Sequence, residues 1–207
     1  VSVRLWRYGL RVNLGVLSGV AADRGQIVVL VALVSVRDLG LYVAALAFAG
    51  LVLVLGQAVN SIVLAELSSS GRAADRPLVI ALWRRTLVAS AAVAVAVAAS
   101  AKYVVDLLLG DAYEDAVPLL RLLLIVAVVN SGNKVLNASV RAAGLPGRAS
   151  MNELAGGILG LFIMWYTVAE KGISSAPFGL ASGALLTLAL YGLTLARLPL
   201  NEETPRV

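Results

Sequence analysis

The chain has 207 residues, of which 60% are hydrophobic and 14% charged, and its formal net charge is +5. Ordinary soluble domains are about 25% charged and 45–50% apolar, so a water-soluble fold of this length could not bury so much apolar surface. Because the sequence has no cysteine and no histidine, it excludes a disulfide framework, a Cys/His metal site and a histidine general base. These features predict a membrane protein.

Six apolar segments follow one another along the chain. We place membrane spans at 8–34, 39–65, 78–101, 116–141, 152–169 and 175–196, which form one domain over 1–200 with a short cytoplasmic tail over 201–207. A helix needs about 20 apolar residues to cross the hydrocarbon core, and the segments lack the alternation of barrel strands. The sequence therefore predicts an all-α membrane protein, a bundle of six transmembrane helices.

Positive residues are concentrated in alternate gaps between the spans. One group comprises Arg4, Arg7, Arg11, Arg72, Arg76, Arg84, Arg85, Arg141, Arg148, Arg197 and Arg206, and the other only Arg37, Lys102 and Lys171. By the positive-inside rule, the larger group marks the cytoplasmic side. We expect a multi-pass protein of the cell inner (plasma) membrane with both termini in the cytoplasm. Since the arginines flank apolar spans, we expect no nucleic-acid partner.

The fourth span carries a polar stripe. Asn130, Asn133, Lys134, Asn137 and Arg141 are separated by 3, 1, 3 and 4 residues, so they share one face of a helix. Charged and amide groups at membrane depth usually face a bundle interior or a wet cavity. The alternative is that the lysine snorkels to the cytoplasmic end, about 12 Å away at helical rise. Three amides on the same face favour a cavity wall.

Polar residues also interrupt the first span, at Asp23, Arg24 and Gln26. Asp23 and Arg24 either neutralise each other or pair across helices, which would be a structural role, or line the same cavity as Lys134. The sequence leaves both interpretations open.

Pairs of glycines four residues apart recur in three spans and permit close approach of helices. They are Gly15 and Gly19, Gly156 and Gly160, and Gly179 and Gly183. The motif supports a packed bundle, but it does not identify which helices or proteins pack against each other.

Several classes of activity lack their motifs. The sequence contains no Walker-type Gly-Lys-Ser/Thr loop, no helix with arginine at every third position and no carboxylate-rich metal motif. We therefore expect no cofactor, no metal and no enzymatic activity.

The segment at 109–123 (LGDAYEDAVPLLRLL) resembles the loop and following helix of polysaccharide-exporting flippases, in the multidrug/oligosaccharidyl-lipid/polysaccharide (MOP) superfamily. The turn at 141–147 (RAAGLPG) is similar to the family's next cytoplasmic turn, and 8–10 (YGL) and 38–42 (DLGLY) fit the opening helices of its C-terminal half. The resemblance extends from about residue 8 to 197 and lies mostly in apolar positions with placed glycines.

The resemblance implies one lobe of a two-lobed, alternating-access transporter. Such proteins move undecaprenyl-diphosphate-linked oligosaccharides to the outer leaflet for cell-surface polysaccharide synthesis. The implied partners are this lipid-linked substrate, membrane lipids, and an N-terminal lobe or a second copy. Lys134 and Arg24 would compensate the diphosphate charge, and Asn130, Asn133 and Asn137 would bind sugar hydroxyls. Asp23 would carry a coupling proton or sodium ion, and Gln26, like Asp23 and Arg24, would line the substrate cavity.

Two other interpretations stay open. A six-span ABC-type permease subunit would need a separate ATPase and a coupling helix, for which the short loops at 67–77 and 142–149 offer little room. A truncated lobe or a membrane scaffold without transport activity would have the same composition and topology.

Overall fold

The computed structural model describes residues 24–70 and 75–197. In these ranges the chain forms helices and short 3₁₀ turns, with no strand. The helices are α1 (Arg24–Leu33), α2 (Val36–Ser70), α3 (Arg76–Leu109), α4 (Ala116–Ala142), α5 (Pro146–Lys171) and α6 (Ala176–Ala196), with 3₁₀ turns at Asp111–Tyr113 and Ile173–Ser175. The prediction of an all-α membrane bundle is confirmed. Five helices are long and apolar enough to span a membrane, and the rest of the predicted first span, 8–23, lies outside the described residues.

Three helices, α2, α3 and α5, are clearly longer than the spans that the sequence predicts. α2 has 35 residues and α3 has 34, or about 50 Å each at 1.5 Å per residue, whereas the hydrocarbon core is about 30 Å thick. α3 continues to Leu109, beyond the predicted boundary at 101, because the apolar residues of the segment 103–109 sustain the helix past Lys102.

α2 begins at Val36, before the predicted span at 39–65, so residues 36–38 form the first turn of the helix. The Ser35 hydroxyl accepts a hydrogen bond from the Asp38 backbone N–H (3.1 Å) and donates one to the Asp38 carboxylate (2.7 Å). A hydroxyl that caps the third residue of a helix satisfies one of the free N–H groups at its start. Ser35 therefore begins α2 earlier than hydropathy alone indicates.

α4 is the central helix of the bundle. Of its most apolar stretch, 61% is buried inside the protein, against 17–33% for the four other long helices. It packs against α2, α3 and α6 and makes fewer contacts with α5. The predicted polar stripe thus lies on the helix with the most protein neighbours.

The apolar core is divided into two clusters along α4. One contains Leu120 and Leu123 with residues of α1, α2, α3, α5 and α6, and the other contains Val135 and Val140 with residues of α2, α3, α5 and α6. Between them, α4 carries small and polar side chains, among them Ser131 and Asn133, which are buried. A polar layer therefore crosses the bundle between two apolar ones.

α5 and α6 form a closely packed antiparallel hairpin. A Cβ atom added at Gly160 would lie 3.2 Å from the Gly179 carbonyl oxygen, and one at Gly179 would lie 2.5 Å from the Met164 backbone. The glycine pairs of these two helices therefore face each other, which agrees with the predicted packed bundle, although the motif itself did not specify which helices meet.

Charged side chains join the helices at the two ends of the bundle. Arg37 pairs with Asp115 (3.4 Å) and Lys102 with Glu114 (3.0 Å) at one end. At the opposite end, Arg76 donates to the Ala196 carbonyl oxygen (2.6 Å), at the C-terminus of α6. Arg37 and Lys102, from the smaller group of basic residues, thus lie at one end, and Arg76, from the larger group, lies at the other.

Candidate functional site

A cavity of about 190 Å³ lies at the level of the polar layer. The helices α1, α2, α4, α5 and α6 all contribute to its wall. Its polar lining comprises Gln26, Gln57, Asn130, Asn133, Lys134, Glu153 and Thr187, and the remaining lining residues are apolar or glycine. The cavity is therefore amphipathic: one ligand could find both hydrogen-bonding groups and apolar surface in it.

Two charged side chains line the cavity, Lys134 of α4 and Glu153 of α5, and Arg141 of α4 approaches Glu153 from outside the lining. Lys134 Nζ lies 3.2 Å from Glu153 Oε1, and Arg141 Nη2 lies 4.0 Å from Glu153 Oε2. Their side chains are 35%, 17% and 23% exposed for Lys134, Glu153 and Arg141 respectively. We call these three residues the charge cluster. It has two cations and one carboxylate, which leaves one positive charge uncompensated.

The depth of the charge cluster follows from the hairpin between α4 and α5. Lys134 lies eight residues before the end of α4 and Glu153 seven residues after the start of α5, which is about 10–12 Å along each helix. Arg141 lies in the last turn of α4, nearer the end of the helix than Lys134, and its guanidinium approaches the same carboxylate. Charges at this depth are costly unless paired.

Two of the predicted amides connect helices. Asn133 Nδ2 donates to the Ala184 carbonyl oxygen of α6 (2.9 Å). Asn137 Nδ2 donates to Tyr191 Oη (2.8 Å), and that hydroxyl donates to the Ala149 carbonyl oxygen of α5 (3.2 Å). Asn133 nevertheless lines the cavity, and its Oδ1 is buried without a hydrogen-bond partner among the described residues. Asn137 is not among the lining residues.

The other predicted residues are divided between the cavity and its surroundings. Asn130 lines the cavity and is half-buried. Gln26 also lines it, and its Oε1 accepts a hydrogen bond from the buried Tyr42 hydroxyl (2.7 Å). Arg24 is exposed on α1 and is not among the lining residues. Asp23 lies outside the described residues.

Glu153 is the functional candidate that sequence reasoning missed. Because the predicted fifth span begins at 152, Glu153 would lie at the end of the span, near the membrane surface. A charged side chain is ordinary at that position and does not indicate a functional site. α5 in fact begins at Pro146, which places Glu153 two turns inside. A signal was available, because Lys134 and Glu153 are almost equidistant from the turn around Gly144, and such residues meet across an antiparallel helical hairpin.

The fold defines the class of the chain as a multi-pass, all-α membrane protein. The fold is similar to that of a MOP superfamily transporter from Pyrococcus furiosus Vc1 (DSM3638), with a TM-score of 0.71 and 18% sequence identity over 95% of this chain. It is also similar to an outward-facing multidrug resistance MATE family transporter of the MOP superfamily, with a TM-score of 0.70 and 18% identity over 91% of this chain. Neither a protein-family model nor a curated protein sequence matches the chain.

The two similar structures are about twice as long as this chain. The matched regions cover 46% and 44% of their respective lengths. The chain therefore spans less than half the length of each transporter that it matches.

Proposed function

We propose that this chain is one lobe, the C-terminal one, of an alternating-access transporter that flips undecaprenyl-diphosphate-linked oligosaccharides from the cytoplasmic to the outer leaflet. The observation that carries this proposal is an amphipathic cavity whose charged lining residues, Lys134 and Glu153, belong to a cluster that is net positive through Arg141. A lipid diphosphate has the complementary properties: negative charge, sugar hydroxyls and an apolar tail.

Each part of the substrate has a counterpart in the cavity. Crossing a low-dielectric region is costly for a diphosphate unless cations compensate its charge, and Lys134 is the cation that lines the cavity in the described part of the chain. Asn130 lines the cavity and is available to sugar hydroxyls. Asn133 also lines it, and its Oδ1 is buried without a hydrogen-bond partner among the described residues, so it could accept a bond from a hydroxyl that entered beside it. The apolar wall leaves space for the proximal isoprene units, while the rest of the tail stays in the bilayer.

The first prediction concerns Lys134. Replacement by alanine should abolish export, because the cavity would lose the cation that compensates the substrate's negative charge. The substrate would then be repelled by Glu153, for which Arg141 would be the one remaining cationic partner. The measurement is the amount of lipid-linked oligosaccharide in the outer leaflet of the native membrane, with the abundance of the protein determined in parallel. Lys102→Ala is the matched control, since this lysine pairs with Glu114 and is 62% exposed away from the cavity. Full export by Lys134→Ala at normal abundance would remove the residue from the substrate path.

Lobe function is tested by what the chain binds in its own membrane. We expect the tagged chain, purified after mild solubilisation, to be recovered with a second six- to eight-helix unit, either as another polypeptide or within one longer protein. Recovery with an ATPase would instead identify a permease subunit. Recovery as a lone six-span monomer would contradict the flippase proposal and favour a scaffold or an inactive lobe.

A further inference from the structure

Glu153 shares its carboxylate between two cations that lie at different depths. Oε1 faces Lys134 at 3.2 Å, on the cavity wall, and Oε2 faces Arg141 at 4.0 Å, which is not among the lining residues. The shorter contact is also a hydrogen bond, and the longer one is beyond hydrogen-bond distance. Glu153 thus occupies the position beside Lys134 that an anionic ligand would need.

Arg141 has donor capacity left for a stronger bond with the same carboxylate. Its Nε is buried without a hydrogen-bond partner in the described part of the chain. A guanidinium can bind a carboxylate through two parallel N–H groups. If the carboxylate moved away from Lys134 toward Arg141, it would therefore remain paired, and the cost of a buried unpaired charge would be avoided.

We propose that Glu153 is an internal counter-anion that competes with the ligand for Lys134 and moves to Arg141 when an anionic headgroup binds. Glu153 is then a specificity-determining residue, and Arg141 a positioning residue that acts through it. Because the headgroup must displace a carboxylate, a dianionic or more highly charged headgroup is favoured over a singly charged one. This inference rests on the proposed function, in that it assumes an anionic amphiphile as ligand.

The proposal predicts that two substitutions change the affinity for the ligand in opposite directions. If Glu153 and Arg141 were only structural, both substitutions would be expected to change the affinity in the same direction. Glu153→Gln removes the competing charge and should raise the affinity for an isoprenyl diphosphate about tenfold, as expected for a like charge removed from a partly buried site. It should also reduce the discrimination between diphosphate and monophosphate. Arg141→Gln removes the alternative partner, holds Glu153 on Lys134 and should lower the affinity. In the Glu153→Gln background, Arg141→Gln should have little effect.

The experiment is equilibrium binding of farnesyl diphosphate by the purified full chain in neutral detergent micelles. Farnesyl monophosphate measures charge discrimination, and farnesol measures uncharged partition into the micelles. Glu114→Gln is the matched control, because this carboxylate also pairs with a lysine (3.0 Å) but is 60% exposed and outside the cavity. Its affinity should equal that of the unmodified chain.

The outcomes separate the inference from the function on which it rests. If Lys134→Gln weakens binding but Glu153→Gln weakens it or leaves it unchanged, the counter-anion role is wrong and the cationic cavity stands. If the unmodified chain does not prefer farnesyl diphosphate to farnesol, both are wrong. Should Glu153→Gln fail to fold, Arg141→Gln decides: unchanged or higher affinity would overturn the exchange of partners.

Discussion

At the residue scale, the polar stripe of α4 divides into two roles because its side chains point towards different neighbouring helices. Asn133 and Asn137 donate to α6, whereas Lys134 turns to Glu153 on α5. Adjacent residues on a helix point about 100° apart, so residues 133 and 134 reach different neighbours from one turn. The stripe therefore both holds the helices together and provides the charge of the cavity.

The amide–hydroxyl connection between α4, α5 and α6 should contribute to stability. Tyr191 is fully buried, accepts from Asn137 and donates to the Ala149 carbonyl oxygen. Tyr191→Phe would remove the hydroxyl that bonds the Asn137 amide and the Ala149 carbonyl oxygen. It should lower the free energy of unfolding by about 1 kcal/mol, the usual scale of such bonds in membranes. Thermal unfolding in detergent measures the change. Tyr103→Phe is the control, because Tyr103 is 79% exposed, and an equal loss in both variants would contradict the role of the connection.

At the element scale, α5 is attached to the bundle mainly through α6 and makes fewer contacts with α4. The charge cluster is a polar link across that sparser boundary, and the cavity opens beside it. The hairpin of α5 and α6 is itself held by backbone contact at facing glycines, which leaves little volume for larger side chains.

Because α5 and α6 are in contact at their glycines, we expect the addition of a single methyl group there to lower the stability of the protein. A Cβ atom at Gly183 would collide with the Gly156 carbonyl oxygen and lie 3.0 Å from Gly160 Cα. Gly183→Ala should therefore force the helices apart and destabilise the protein by about 1–3 kcal/mol, as overpacking usually does. Gly192→Ala on the same helix is the control, since nothing lies within 4 Å of its added Cβ. Thermal unfolding that does not distinguish the two variants would refute the close packing.

At the scale of the whole molecule, the charges at the two ends of the bundle predict its orientation in the membrane. The residues Arg37 and Lys102 lie at the end where acidic partners balance them, and Arg76 lies at the other. By the positive-inside rule, we expect the C-terminus of α6 in the cytoplasm and its N-terminus outside.

This orientation can be measured directly, because the chain has no cysteine of its own. Ser174→Cys and Ala196→Cys introduce exposed thiols at the two ends of α6. In intact cells, a membrane-impermeant maleimide should label the first variant, and it should label the second only after permeabilisation. The reverse pattern would show that the bundle is inserted the other way.

The class of the protein and the places of most helices could be predicted from the sequence, because hydropathy and charge act locally. Apolar runs of sufficient length form membrane helices whatever their neighbours, and the spacing of Asn130, Asn133 and Lys134 puts them on one face by helix geometry alone. The extra turn and a half at the start of α5 escaped prediction, because polar residues there also suit a loop.

Which polar groups meet was decided only by the tertiary structure. The sequence does not show how far each helix is rotated about its axis, and that rotation determines that Asn137 faces Tyr191 while Lys134 faces Glu153. It is set by packing contacts between distant segments, such as the close approach of α5 and α6 at Gly156 and Gly183. The sequence by itself therefore determined an all-α membrane bundle with a polar stripe, and helix packing decided which part of that stripe became the cavity.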